Sequence, residues 1–317
     1  MWRYMLILVT GASGRVGQAL VPLLLQEGHR IRALQRGVSR SIADAGTEVI
    51  VGSVGDARLL EEAVEGVDAV CHLAALMPPA GNRDVFETNV RGTFNVLEAV
   101  RIHGNRARVI HGSTDATYGT GLSERTYPDP IDETVLPEPT NFYGASKVID
   151  EQLLHQYRRL FDLDFVSLRY FWIFDGVEVL DLFTMGMWTE FMSEEQVGRL
   201  ASSDAVPVLY EEDGKTPFTD HIVDARDVAR ATLLAVSAPK ASGEAINIGG
   251  PGPFSYVDYS PRVAERLDRP LQDVALPGFH AYSYGISKAR SILGFEPSHD
   301  IDDMLERAFG LMDARGS

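Results

Sequence analysis

Tyr143-Gly144-Ala145-Ser146-Lys147 sets a phenol and an ammonium four residues apart, on one face of a helix start. A free phenol, with a pKa near 10, is a poor base at neutral pH. A lysine cation within a few ångströms favours the phenolate. The tyrosine can then take a proton from an alcohol or return one to a carbonyl. A second donor should hold the same oxygen. The segment Gly112-Ser113-Thr114-Asp115-Ala116-Thr117-Tyr118-Gly119 ends a strand and offers Ser113 and Thr114. Asp115 either acts as an acid, orients a substrate hydroxyl, or bonds only to a backbone turn.

A tyrosine–lysine pair on a helix is most often a surface pair. What gives this one meaning is Thr10-Gly11-Ala12-Ser13-Gly14-Arg15-Val16-Gly17, lying between a strand and a helix. Gly11 permits the tight turn, Gly14 lets backbone approach a pyrophosphate, and Gly17 lets helix pack on strand. The helix start adds free amides and the positive end of its dipole. Gly11, Ser13, Gly14, Arg15, Val16 and Gly17 are therefore the expected phosphate cradle, and a nicotinamide dinucleotide is the expected cofactor. The second strand ends in Gln35-Arg36, where an NAD site usually carries an acid for the ribose hydroxyls. A guanidinium suits a 2′-phosphate, so Arg36, helped by Arg15, points to NADP. The alternative is NAD held through Gln35, with Arg36 a solvated loop charge.

The elements that must position these groups alternate. Strands are expected at Met5–Val9, Ile31–Leu34, Glu48–Val51, Asp68–Leu73, Arg108–His111, Phe165–Tyr170 and Ala245–Ile248. Helices are expected at Val16–Glu27, Leu59–Val64, Val85–His103, Tyr143–Phe161 and Asp224–Val236. Strands separated by helices imply an α/β fold, a Rossmann-type doubly wound parallel sheet. From Val179 to Asp213 the rhythm breaks. The expected division is a dinucleotide domain over 1–175 plus 223–250 and a smaller substrate lobe over 176–222 plus 251–317. Trp172, Met185, Met187, Trp188 and Phe191 either line an apolar pocket or pack that lobe.

The chain has 317 residues and a net charge of −16. Such a surface repels nucleic acid and anionic membrane. Its one cysteine, Cys71, excludes an internal disulfide, and no apolar run approaches the length of a bilayer span. A cytoplasmic enzyme with no membrane or nucleic-acid partner is expected. His111 and His221 lie nearest the predicted cleft but lack the partners of a metal site, so no metal is expected.

Together these motifs closely resemble the NAD(P)-dependent epimerase/dehydratase family, the extended branch of the short-chain dehydrogenases. The resemblance runs through TGASGRVG at 10–17, HLAA at 72–75, NVRGTFNVLEA at 89–99, STDATYG at 113–119, YGASK at 143–147 with Glu151, LRYF at 168–171, VDARDVARA at 223–231, INIGG at 246–250 and SKARSILGFEP at 287–297. It implies a catalytic trio of Thr114, Tyr143 and Lys147, with Asn89 supporting the lysine. It implies dinucleotide contacts along Leu73, Ala74 and Ala75, an adenine contact at Ser53 and Val54, and a nicotinamide contact from Phe171 to Ile173. The helices at 85–103 and 143–161 resemble the family's dimerisation helices, so a homodimer is expected.

Departures bear on substrate. Ala116 stands where the related 4,6-dehydratases carry a proton-removing glutamate. Trp172 replaces the asparagine of the family's RYFN stretch. Asp220 aligns with an arginine that often holds a diphosphate, and an acid there repels one. The expected activity is hydride transfer between NADP(H) and a secondary alcohol or ketone of a small, non-nucleotide substrate. The alternatives are an epimerase or dehydratase that recycles its hydride, and a non-catalytic dinucleotide-binding protein.

Overall fold

In the structure, a computed structural model, the described residues are 4–104, 106–120, 126–198, 200 and 202–316; the first residues of the expected nucleotide domain lie outside them. Apolar runs between glycines form the strands β1 (Leu6–Thr10), β2 (Arg30–Gln35), β3 (Glu48–Val51), β4 (Ala69–His72), β5 (Arg108–Thr114) and β6 (Phe165–Tyr170). The lobe and the return to the sheet add β7 (Trp172–Phe174), β8 (Val206–Tyr210), β9 (Thr219–Asp220), β10 (Ile222–Asp224), β11 (Glu244–Ile248), β12 (Phe254–Ser255) and β13 (Leu271–Ala275).

The main sheet has seven strands in the order β11-β6-β5-β4-β1-β2-β3, all parallel. Every carboxyl end therefore falls on one edge, and the order reverses between β1 and β4, where a doubly wound sheet opens its ligand crevice. Side chains of the Arg15–Gln26 and Ala225–Ser237 helices pack one apolar cluster with the sheet; Ala57–Ala63, Arg91–His103 and Phe142–Phe161 pack a second. Central strands covered on both faces need unbroken apolar runs, and all four residues of β4 are buried. Cys71 lies there, its thiol pushed up to about 12 by burial.

Two readings need correction. The segment expected as one helix over Val85–His103 is three pieces: a turn at Asn82–Val85, a π-helical turn at Phe86–Val90, and the helix Arg91–His103. The π turn spends an extra residue per turn and rotates Asn89 inward. The stretch after Val179 also holds a strand that its residue pattern did not mark, β8, paired in parallel with β13.

β8 and β13 belong to a third apolar cluster, built around Trp188. Its indole Nε1 donates to the Leu182 carbonyl at 2.8 Å, and its ring meets Trp172, Phe191, Phe218 and Tyr256. Met185 and Trp188 are thus core packing. Ile286, Ala289, Leu293 and Phe295 join the sheet's cluster instead, so the chain beyond 251 divides between two cores. Among the described residues no helix is long and apolar enough to cross a membrane.

Candidate active site

The cleft at the strand carboxyl ends has a volume of about 320 Å³. Of the expected contacts, Gly11, Ser13, Gly14, Gln35, Arg36, Ser53, Val54, Leu73, Ala74 and Ala75 line it. Leu34, Gly52, Leu76 and Thr88 also line it, and no motif marked them. Gly11 has φ +70°, and a Cβ there would come within 2.8 Å of the Ala74 nitrogen. A Cβ on Gly17 would come within 2.5 Å of the Gly11 and Ala12 carbonyls. Bare backbone thus forms a turn too tight for side chains, and the helix behind it has first-turn amides without intrahelical acceptors.

At the other end of the cleft, Gln35 is buried, yet neither atom of its side-chain amide has a partner. A buried amide left unbonded is costly, and ribose hydroxyls would satisfy it. These two features fit a dinucleotide: the cradle would hold its pyrophosphate, and Gln35 its adenosine ribose. Arg36 is exposed beside Gln35. Arg15 is directed elsewhere. Its guanidinium pairs with Glu178 of the Gly176–Phe183 turn, and Glu178 also accepts from the Asp175 amide. Arg15, Val16, Gly17, Asn89, Tyr143, Lys147, Phe171 and Ile173 stand outside the lining of this cleft.

Tyr143 and Lys147 begin the Phe142–Phe161 helix, capped by Asn141, whose Oδ1 accepts from the Gly144 amide at 2.8 Å. Gly144 sits so close to the Ala116 carbonyl that a Cβ would come within 2.4 Å of it. That contact presses the helix start against the end of β5. The Tyr143 phenol consequently lies beside the Thr114 side chain. Burial pushes the phenol up to about 12; the Thr114 hydroxyl opposes this, while Asp115 and Asp150 add to it. Lys147 is 2% exposed, and burial lowers its pKa against the pull of Asp150.

Asn89 meets the helix through Ser146 rather than Lys147. Its Nδ2 donates to Ser146 Oγ at 2.9 Å and to the Leu76 carbonyl at 2.9 Å, and its Oδ1 accepts from the Leu76 amide at 2.7 Å. It therefore clips the strand-β4 loop to the Phe142–Phe161 helix. Ser113 donates to Glu151 Oε1 at 2.7 Å, and Glu151 is paired with Arg169 at 2.7 Å. Ser113 is engaged inside the fold, which leaves Thr114 as the hydroxyl beside Tyr143.

On the lobe side, Thr114 Oγ1 donates to Asp115 Oδ1 at 3.0 Å. Asp115 also lies within electrostatic reach of Tyr284, a residue no motif flagged, whose hydroxyl meets Thr120 Oγ1 at 2.5 Å. Asp220 accepts from Tyr256 at 3.3 Å. Burial raises both carboxyls to about 6, and Asp115 raises Asp220 further. His221 is structural: Nε2 meets the Gly250 carbonyl at 3.1 Å, and Nδ1 accepts from the Tyr284 amide at 3.2 Å. His111 is likewise enclosed, between Ser167 and Asp150. Phe171 is packed against Tyr284 and His221, with ring centroids 4.5 and 4.9 Å away. Ile173 is half-buried, in register with Val223 of β10.

A parallel sheet with a glycine cradle after its first strand, and a Tyr-x-x-x-Lys helix after its fifth, defines an NAD(P)-dependent oxidoreductase or epimerase of the extended short-chain dehydrogenase type. The chain belongs to the NAD dependent epimerase/dehydratase family, whose model matches residues 7–249. It is 28% identical to a UDP-glucose 4-epimerase of Lacticaseibacillus casei, over 96% of each chain. It is also 28% identical to an L-arabinose 1-dehydrogenase (NAD(P)(+)) of Haloferax volcanii, over 70% of this chain and 89% of that one. Among solved structures, a short-chain dehydrogenase/reductase superfamily protein of Agrobacterium tumefaciens with bound NAD superposes with a TM-score of 0.85, at 30% identity over 98% of each chain.

Proposed function

We propose that this enzyme transfers hydride between NADP(H) and a secondary alcohol or ketone of a small substrate that carries no nucleotide. The observation that carries the reading is the pair of carboxylates, Asp115 bonded to Thr114 and Asp220 within electrostatic reach of Asp115. They electrostatically disfavour a diphosphate and suit a neutral, hydroxylated molecule. When bound, the dinucleotide takes or gives the hydride, and its cationic ring adds positive charge beside the phenol. Thr114 and Tyr143 hold the reacting oxygen. Tyr143 gives its proton to a carbonyl oxygen as the alcohol forms, or takes it from the alcohol in reverse. Lys147 keeps positive charge one helical turn away and lowers the cost of the phenolate.

We divide the chain into a dinucleotide domain, 1–175 plus 223–250, and a substrate lobe, 176–222 plus 251–317, the latter returning its Ser287–Leu293 helix to pack on the sheet. A homodimer is supported by the exposed apolar side chains Phe86, Phe94, Ile149, Leu160 and Phe161 on and beside the Arg91–His103 and Phe142–Phe161 helices. The lone buried Cys71 suits the cytoplasm. A second reading, an epimerase that returns its hydride, is supported by full-length similarity to UDP-glucose 4-epimerase.

The deciding experiment offers neutral polyols, free sugars and UDP-sugars in turn, following net reduced nicotinamide and the mass of nucleotide released on denaturation. Net reduction with a free sugar or polyol supports the first reading. Tightly held NAD and interconversion of UDP-sugars without net reduction would replace it with the second. For the cofactor, Arg36→Ala should lower the preference for NADP over NAD about tenfold in kcat/KM, a 1.4 kcal/mol effect. An unchanged ratio would mean NAD held through Gln35.

A further inference from the structure

Asp150 lies three residues beyond Lys147 on the same helix and takes no part in the steps above. Its Oδ2 is 3.6 Å from the Lys147 Nζ and 3.4 Å from Nε2 of His111. Asp150 and His111 are sealed from solvent, and Lys147 almost so. The other charge-bearing groups around them come from three elements. From β4, His72 bonds Thr10 through Nδ1 at 2.8 Å and Thr93 through Nε2 at 3.1 Å; burial first, then His111 and Lys147, push it down to about 3. From β5, His111 is lowered by burial and by Lys147. From the helix itself, Glu151 is already matched by Arg169 and two serine hydroxyls. The imidazoles are therefore neutral at physiological pH and Glu151 is committed. Among the described residues, Asp150 is the carboxylate within ion-pair distance of Lys147.

We propose that Asp150 is a positioning residue: the counter-ion that keeps Lys147 an ammonium one helical turn from Tyr143. The proposal rests on the roles given above to Tyr143 and Lys147. An ammonium closed off from water sheds its proton unless an opposite charge shares the enclosure. A neutral lysine would not ease ionisation of the phenol. Asp150 is raised to about 6 by burial, with Lys147 first among the groups opposing the shift, so the carboxyl is mostly ionised at neutral pH.

The chain has four lysines, Lys147, Lys215, Lys240 and Lys288, so lysine labelled with ¹³C at Cε gives few signals. A Lys147→Arg sample assigns the one that matters. In the native protein the Lys147 signal should stay that of an ammonium from about pH 6 to 9. In Asp150→Asn it should titrate at least about one unit lower, within that range. The pH profile of kcat/KM should gain a descending limb at the same midpoint, losing about tenfold per further unit. Asp150→Glu should restore both. A native titration and a native pH profile in Asp150→Asn would overturn the proposal. If that variant does not fold, the native protein decides: a neutral Lys147 at pH 7 overturns the proposal, and an ammonium signal that shifts as Asp150 titrates near 6 supports it. The lysine titration needs no turnover. Failure of the Tyr143 assignment would show separately, as activity surviving in Tyr143→Phe.

Discussion

In the sheet half of the molecule the buried side chains are mostly aliphatic: Ile7, Val9, Leu20, Leu24, Val166, Leu168, Ile246 and Ile248 lie between strands and helices of regular period. In the lobe, Phe183, Trp188, Phe218, Phe254 and Tyr256 meet ring to ring, and short turns and two- to five-residue strands gather with the Tyr256–Leu267 and Ile301–Gly316 helices around them. Regular backbone packed by small side chains aims its loops reproducibly, which a cofactor of fixed shape requires. A few large rings can hold irregular backbone in place and leave its surface free to differ, which suits a substrate side. The Phe142–Phe161 helix belongs to the first kind and Tyr284 packs against the sheet's cluster, while Asp220 meets Tyr256 of the second.

The sharpest way to separate the two regions is to remove chemistry without touching either core. Tyr143→Phe should lower kcat by about 10²- to 10⁴-fold while the dissociation constant for the dinucleotide stays within twofold, read by stopped assays and fluorescence titration. Activity within tenfold of the native enzyme would mean that another group carries the proton. Next in size, Trp188→Ala should cost about 3–5 kcal/mol of stability by chemical denaturation. Dinucleotide binding below the transition should persist, because the cradle lies in the other core. If binding disappears while the sheet remains folded, the two regions are one cooperative unit and the contrast drawn here fails.

The smallest effect concerns charge. The Asp220 carboxyl titrates near 3.8 when unfolded and near 6 when folded. A raised folded value means that stability is greatest below 3.8, declines between 3.8 and 6, and is flat above. Asp220→Asn removes that decline. It should therefore match the native protein near pH 4 and exceed it at neutral pH by roughly 1–3 kcal/mol. Equal stabilities at both pH values would mean that Asp220 is better solvated than its surroundings indicate.

Most of the sheet half was legible because its signals are local. An apolar run closed by glycine marks Glu48–Val51, and Phe165–Tyr170 reads as a strand from end to end. The glycine spacing at 11–17 carries its own geometric reason. The π turn at Phe86–Val90 was not legible, since residue type does not distinguish it from an α turn, and with it went the true partners of Asn89. The β8–β13 pair escaped because each strand is five residues long and its partner lies some sixty positions away. Arg15 shows the same limit: its partner Glu178 is 163 residues along, so local sequence alone points its charge at a ligand. Asp150, by contrast, stood in view at helical spacing from Lys147, and only its burial gives it meaning.

Cys71 has a practical consequence. A thiol in the middle of a parallel sheet, sealed and held far above the pH of the cell, presents almost no thiolate to an electrophile. Alkylating probes, spin labels and fluorescent maleimides should therefore find nothing to react with in the native chain. The protein is a blank slate for labelling: a cysteine introduced at an exposed position such as Leu136 would be the sole reporter, with no need to engineer the natural one away.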